Sequence, residues 1–264
     1  MTTAPASASE KRTASGPLWS VGLAVAGAVV AVGAWWLAII AFKIESFIAP
    51  TPPQVTDSLI REWAYLLDNA AITLAETAQG FGWSVLIGVG FGALLAGSSI
   101  VERAFMPTLV ALNAVPKLAF APLLVVWLGF GAGPKVVLVI LMCAFPIVLS
   151  VMAGLSSTPA DLAELARSLS ASKWQMFYRI RLPGALPQVF VGLKVAMPLA
   201  VIGALVGELF GASEGLGFVI QNSQSDIGLG FAAIAVLALM SIALFYLVVV
   251  IERMALPWVK GTTG

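Results

Sequence analysis

Glu76, Lys117 with Asn113 one helical turn before it, Lys194 and Glu208 are polar side chains set in long apolar runs. An ionised group in hydrocarbon is costly, so each is a candidate for ion pairing, solute contact or gating. Catalysis has little to work with. The chain contains no histidine, which removes histidine metal ligands, histidine general bases and Ser-His-Asp triads. Cys143 is the single cysteine, so an internal disulfide is excluded. No Gly-x-x-x-x-Gly-Lys-Ser/Thr loop is present to cradle a nucleotide phosphate, and no two carboxylates are placed for acid–base work. No catalytic, metal or cofactor residue is therefore assigned, and the chemistry open to the chain is binding and pairing.

The elements that must hold these groups follow from composition. Charged residues make up 10% of the chain and hydrophobic ones 60%, against about 25% charged in a soluble domain. Lipid must be much of the solvent of such a surface, and the net charge of +1 leaves no electrostatic footprint for nucleic acid. Residues 1–17 read as a polar, disordered tail and residues 259–264 as a second tail. Six transmembrane helices are predicted, at 18–42, 70–97, 105–129, 134–155, 188–210 and 229–251. The first lies in the segment 18–49 and is too long for a signal-peptide core. Pro50, Pro52 and Pro53 then break the chain, and residues 54–67 carry the period of an amphipathic helix lying in the outer interface.

Basic residues set the expected orientation. Lys11, Arg12, Arg103, Arg167, Lys173, Arg179, Arg181, Arg253 and Lys260 fall in segments on one side, and only Lys43, Arg61 and Lys135 on the other. Both termini are therefore expected in the cytoplasm. On these spans Glu76 and Lys117 reach similar depths and are expected to pair. Two readings are open: an ion pair holding two helices in register, or a Lys117–Asn113 face that meets an anionic solute. Pro116 breaks the helix beside them and frees backbone carbonyls. Lys194 is placed to snorkel as an interface anchor, and Glu208 reads either as a solvated or capping carboxylate or as a gate. Trp127 and Trp258 fit belt aromatics. Gly203, Gly207 and Gly211 form a small-residue stripe on the fifth span, and Gly88 with Gly92 a pair on the second, both suited to close helix approach.

Residues 156–187 are too charged to cross a bilayer. Ser157 or Thr158 before Pro159 is a candidate N-cap, with Asp161 and Glu164 in the first turns where the helix dipole favours acids. Leu162, Leu165 and Leu169 recur at helical spacing, Ser170-Ala171-Ser172 interrupts, and Lys173 to Ile180 can form a second short helix ended by Pro183. The pattern is two short amphipathic helices, either a docking element for a soluble partner or a solvated connector.

This loop resembles the EAA loop of ABC importer permeases, through Glu164, Ala166, Arg167, Ala171, Ser172, Trp174, Ile180, Leu182, Pro183 and Pro187. Leu165 and Ser170 depart from the pattern, which has an alanine-type residue and a glycine there. Val115 to Gly131 and Glu208 to Ile220 are similar to segments of permeases for nitrate, sulfonates, taurine and bicarbonate. The resemblance implies an all-α integral membrane chain with a peripheral first helix in 18–49 and a type I importer (MetI-like) core over 50–258. Its coupling loop would engage an ATPase through Glu164, Ala166, Arg167, Ser170, Ala171, Ser172, Lys173 and Trp174. It also implies two ABC ATPase subunits that bind ATP and Mg, a second permease copy, an extracytoplasmic binding protein and a prokaryotic inner membrane. Glu76, Asn113, Lys117 and Glu208 are the pathway candidates. The expected solute is a small anion, with a neutral heterocycle or vitamin precursor as the alternative. An ATP-independent transporter or channel is the competing class.

Overall fold

A computed structural model describes residues 17–259, so the expected tails fall outside the described residues but for Pro17 and Val259. The chain divides into two units, Met1–Gln54 and Val55–Gly264. In the first, α1 (Pro17–Phe42) ends in a turn at Lys43, and the Thr51 amide is capped by Gln54 Oε1 at 2.8 Å.

The second unit is a helical bundle. α2 (Pro52–Arg61) is followed by α3 (Trp63–Gly97), α4 (Ser99–Ala114), a 3₁₀ turn (Lys117–Phe120) and α5 (Ala121–Leu128). Then come α6 (Ala132–Ser156), α7 (Ala160–Ser168), α8 (Lys173–Met176), a π turn (Phe177–Arg181), α9 (Leu182–Leu209), α10 (Leu216–Asn222) and α11 (Ile227–Ala255). No strand occurs among the described residues. Four helices there are long and apolar enough to cross a membrane, and the bent pair α4–α5 makes a fifth. In α1 the described apolar stretch is the shorter Ala26–Phe42, so the count of six is not confirmed.

α6 is the axis of the bundle, packed between α3 and α9. Val139, Cys143, Ile147, Val151 and Leu155 recur along it every four residues and are buried. Glycines on its neighbours let the backbones close. A Cβ on Gly92 would sit 2.7 Å from Val151 Cβ, and one on Gly203 would sit 3.0 Å from Val139 Cα. Gly88 faces Ile147 in the same way. The stripe on α9 holds for Gly203 and Gly207, but Gly211 lies beyond the helix end, against Val125 and Phe130.

Three further expectations are corrected. The span at 105–129 is not continuous: α4 and α5 meet at 76°. Pro116 lacks an amide hydrogen and drives Val115 out of helical geometry, to φ −72° and ψ 133°. Residues 54–67 are not one interfacial helix, because α2 stops at Arg61 and Trp63 opens α3. Val55 and Leu59 pack against the buried cluster of Leu66, Val201, Leu216 and Val219, and Asp226 at the head of α11 receives Arg61 and the Ser58 hydroxyl. Nor does Pro183 end a helix. It sits in the first turn of α9, where a missing amide is tolerated, and the chain runs as one rod from Trp174 to Leu209.

The loop expected to couple is two helices joined by a tight reversal. Ser157 caps the end of α6, its hydroxyl donating to Gly154 O at 2.7 Å, and so does not start α7. α7 closes with Ser170 at φ +57° and the Ala171 amide donating to Ala166 O at 2.9 Å, a left-handed C-cap. This is the position where the resemblance expects glycine. Ser170→Gly is accordingly expected to raise stability by about 0.5–1 kcal/mol, read as a shift of the thermal unfolding midpoint. Ser170→Val should lower it.

Candidate functional site

Two groups of polar residues stand out, at opposite ends of the bundle. The first lies where α3 and α6 begin and α9 ends. Glu76 of α3 and Lys135 of α6 form a buried ion pair, Nζ to Oε1 at 2.5 Å, with side-chain exposures of 6% and 5%. The expected Glu76–Lys117 pair is thereby overturned. The 76° break at Pro116 directs Lys117 elsewhere, while Gly207 admits the Lys135 backbone, whose Cα would lie 2.9 Å from a Cβ at that glycine. Lys135, counted among the outside basic residues at the start of the fourth span, lies in the first turn of α6 and is buried. Glu76 Oε2 and the Thr77 hydroxyl are buried without a hydrogen-bond partner among the described residues.

Beside this pair, three side chains cap the start of α10. The amides of Gly215, Leu216 and Gly217 donate to Asn69 Oδ1 at 2.7 Å, Thr73 Oγ1 at 2.9 Å and Glu208 Oε2 at 2.5 Å. The Thr73 hydroxyl donates in turn to Glu208 Oε1 at 2.7 Å. Glu208 is fully buried, so of its sequence readings the solvated one fails and the capping one describes the contact it makes. Gly215 has φ +106°, and a Cβ there or at Gly217 would collide with the Glu208 side chain. The Gly-Leu-Gly sequence is thus shaped by one carboxylate.

Lys117 lies elsewhere. Its Nζ donates to Asn113 Oδ1 at 2.6 Å across the helix break and stands 5.9 Å from the Phe145 ring centroid. α4 buries none of its residues in this chain. Lys194 is not a free interface anchor: it pairs with Glu252 of α11 at 2.8 Å, both side chains largely buried. Trp127 and Trp258 are exposed, as belt aromatics would be.

The second group is at the other end. Glu164, Ser170, Ser172 and Trp174 are exposed, Ala171 is half-buried and Ala166 is buried. Arg167 and Lys173 are placed by backbone in α7 and at the start of α8, and their side chains lie outside those described. Leu162, Leu165 and Leu169, the apolar face of the first short helix, are all exposed. Trp174 stacks on Tyr178 with ring centroids 5.7 Å apart, and both rings are exposed. Sequence reasoning missed how α8 starts. The Gln175 amide donates to Ser172 Oγ at 3.2 Å, and the Ser172 amide to Gln175 Oε1 at 2.9 Å. This is a reciprocal capping box, and its signal, Ser-x-x-Gln, stands in the sequence.

Comparison with known proteins identifies the family. The profile of the family described as binding-protein-dependent transport system inner membrane component matches residues 85–261. The chain is 36% identical over 219 residues to the formylaminopyrimidine transport permease protein ThiX of Halalkalibacterium halodurans, covering 82% of this chain and 88% of that one. It is 29% identical over 249 residues to the taurine transport system permease protein TauC of Escherichia coli K12, covering 90% of each. A chain of the inward-facing MetNI methionine ABC transporter superposes with a TM-score of 0.61 at 21% identity, covering 75% of this chain and 97% of that one, which shows the fold. This chain is a multi-pass ABC transporter permease of the MetI-like fold, a member of the binding-protein-dependent transport system inner membrane component family.

Proposed function

We propose that the chain lines the translocation pathway of an ATP-driven importer and takes its power stroke through the α7–α8 loop. Two separate ABC ATPase subunits, binding ATP and Mg, would drive it. A second copy of the chain would complete the pathway, and an extracytoplasmic binding protein would deliver solute at the Lys135 end. Both termini then lie in the cytoplasm with the loop. The observation that carries this reading is the rod from Trp174 to Leu209, 36 residues long. At 1.5 Å per residue it spans about 54 Å, against a hydrocarbon core of about 30 Å. Its end therefore reaches well past the membrane, carrying Trp174 and Tyr178 beside the exposed leucines of α7. An apolar face on a charged loop is suited to seating in a groove of a partner. Motion there passes without a break into α9, which packs on α6. Pathway contact is assigned to Asn113 and Lys117, with Glu76 at the outer end and Glu208 supporting it from behind.

A small solute bearing N–H groups, of the neutral heterocycle kind, is the solute class best supported, in line with the formylaminopyrimidine relative. Lys135 and Lys194 are each neutralised by a carboxylate, which removes two cations that an anion would seek. A small anion is the second reading, favoured by Lys117 beside Asn113 and by the taurine relative. The test is co-purification of the tagged full chain from its native membrane. A stoichiometric ATPase subunit is expected, and it should be lost in Glu164→Arg, which reverses a charge on the exposed face of α7. A chain that emerges alone and moves solute without ATP would instead be a secondary transporter or channel.

A further inference from the structure

At the Lys135 end, a cleft of about 410 Å³ opens between α3, α6 and the segment after α9. Glu76 and Lys135 line it, with Phe130, Ala132, Ala212 and Glu214 around them. Its volume lies within the roughly 300–1,000 Å³ of small-molecule sites. We propose that this cleft binds a solute edge carrying an N–H donor beside a hydrogen-bond acceptor, as in an amino-substituted nitrogen heterocycle, and that it rejects simple anions. The proposal deepens the importer reading and rests on it.

Three observations point to that chemistry. Glu76 is buried, yet its Oε2 accepts nothing among the described residues, and a buried acceptor left without a donor is destabilising. Lys135 offers three N–H donors, and its recorded hydrogen bond is the one to Glu76 Oε1. A spare acceptor and spare donors therefore stand side by side, the complement of a heterocycle edge. Phe130 is 84% exposed at the mouth and supplies a flat apolar face on which a ring can stack. The charge balance decides the sign. The charged residues of the lining are Glu76, Lys135 and Glu214, and since Glu76 already holds the Lys135 ammonium, Glu214 stands as the unmatched charge. A bare anion meets net repulsion there, and an N–H donor meets attraction.

The experiment uses the full chain in lipid nanodiscs and isothermal titration with two probes, 4-aminopyrimidine and methanesulfonate. Saturable binding of 4-aminopyrimidine is expected, with no heat from methanesulfonate. Glu76→Gln places an amide N–H where the spare acceptor stood and should weaken binding by at least about tenfold. Ala132→Trp, which fills the mouth and leaves both charged residues in the sequence, should do the same and decides the matter if Glu76→Gln fails to fold. Binding of methanesulfonate alone overturns the proposed chemistry. Binding of neither probe, or 4-aminopyrimidine binding unchanged in Ala132→Trp, overturns the site. A chain that retains its ATPase but binds neither probe keeps the importer reading and loses this one. A chain that binds 4-aminopyrimidine without recruiting an ATPase does the reverse.

Discussion

Lys135→Met is expected to destabilise the folded chain by about 3–5 kcal/mol, the loss that follows when one member of a buried ion pair is removed. The side chain is nearly isosteric, so the effect isolates charge from packing. Glu76 would be left buried, with one oxygen already unpartnered and the other now stripped of its ammonium. Removing both charges should undo most of the damage. The double variant Glu76→Leu with Lys135→Met is expected within about 1 kcal/mol of the starting protein, because well-packed apolar pairs replace buried ion pairs at little cost. The exposed pair Arg61–Asp226 is the control, and Arg61→Ala should change stability by no more than about 1 kcal/mol. Unfolding of the full chain in mixed micelles at rising detergent denaturant measures all three. A loss below about 1 kcal/mol in Lys135→Met would mean that water reaches the pair.

That pair also marks where sequence stops informing. The spans at α3, α6, α9 and α11 were legible because apolar runs and bounding charges are local properties, and so was the two-helix loop, whose leucine spacing lies within a few residues. Glycine stripes were legible as close-approach surfaces but not their partners: nothing local says that Gly207 faces Lys135. Lys135 itself was counted only as an outside basic residue at the very start of its span, a place that says nothing of a buried partner. The partner of Glu76 could not be found by matching depths, because depth assumes straight spans and Pro116 bends the third by 76°. Pro116 announced a break but not its angle, which tertiary packing sets. Lys194 failed for a similar reason: Glu252 stands in the last turns of α11, where a carboxylate beside Arg253 reads as a helix end. Glu208 was ambiguous because its partners, Thr73 and the Gly217 amide, come from α3 and from the turn it caps. Long-range polar contacts within the bundle are what one sequence hides.

Inserting two alanines between Arg181 and Leu182 is expected to cut ATP-driven uptake by about 5- to 150-fold, the range of ordinary coupling free energies, while leaving the chain folded. The α8–π turn–α9 rod gives the reason. Two extra residues turn everything before Leu182 by about 200° relative to α9, at 3.6 residues per turn. Trp174 and Tyr178 would then face away from the side they now present, although α9 keeps its packing on α6. Four alanines turn the same end by about 400°, close to a whole turn, and should restore part of the uptake despite a longer insertion. Alanine is the best helix former, so neither insertion should melt the rod. The dependence on register, and not on length, is what a rigid lever demands. If two and four alanines reduce uptake equally, or neither does, the π turn acts as a loose joint and α9 is not the element through which the loop moves the bundle.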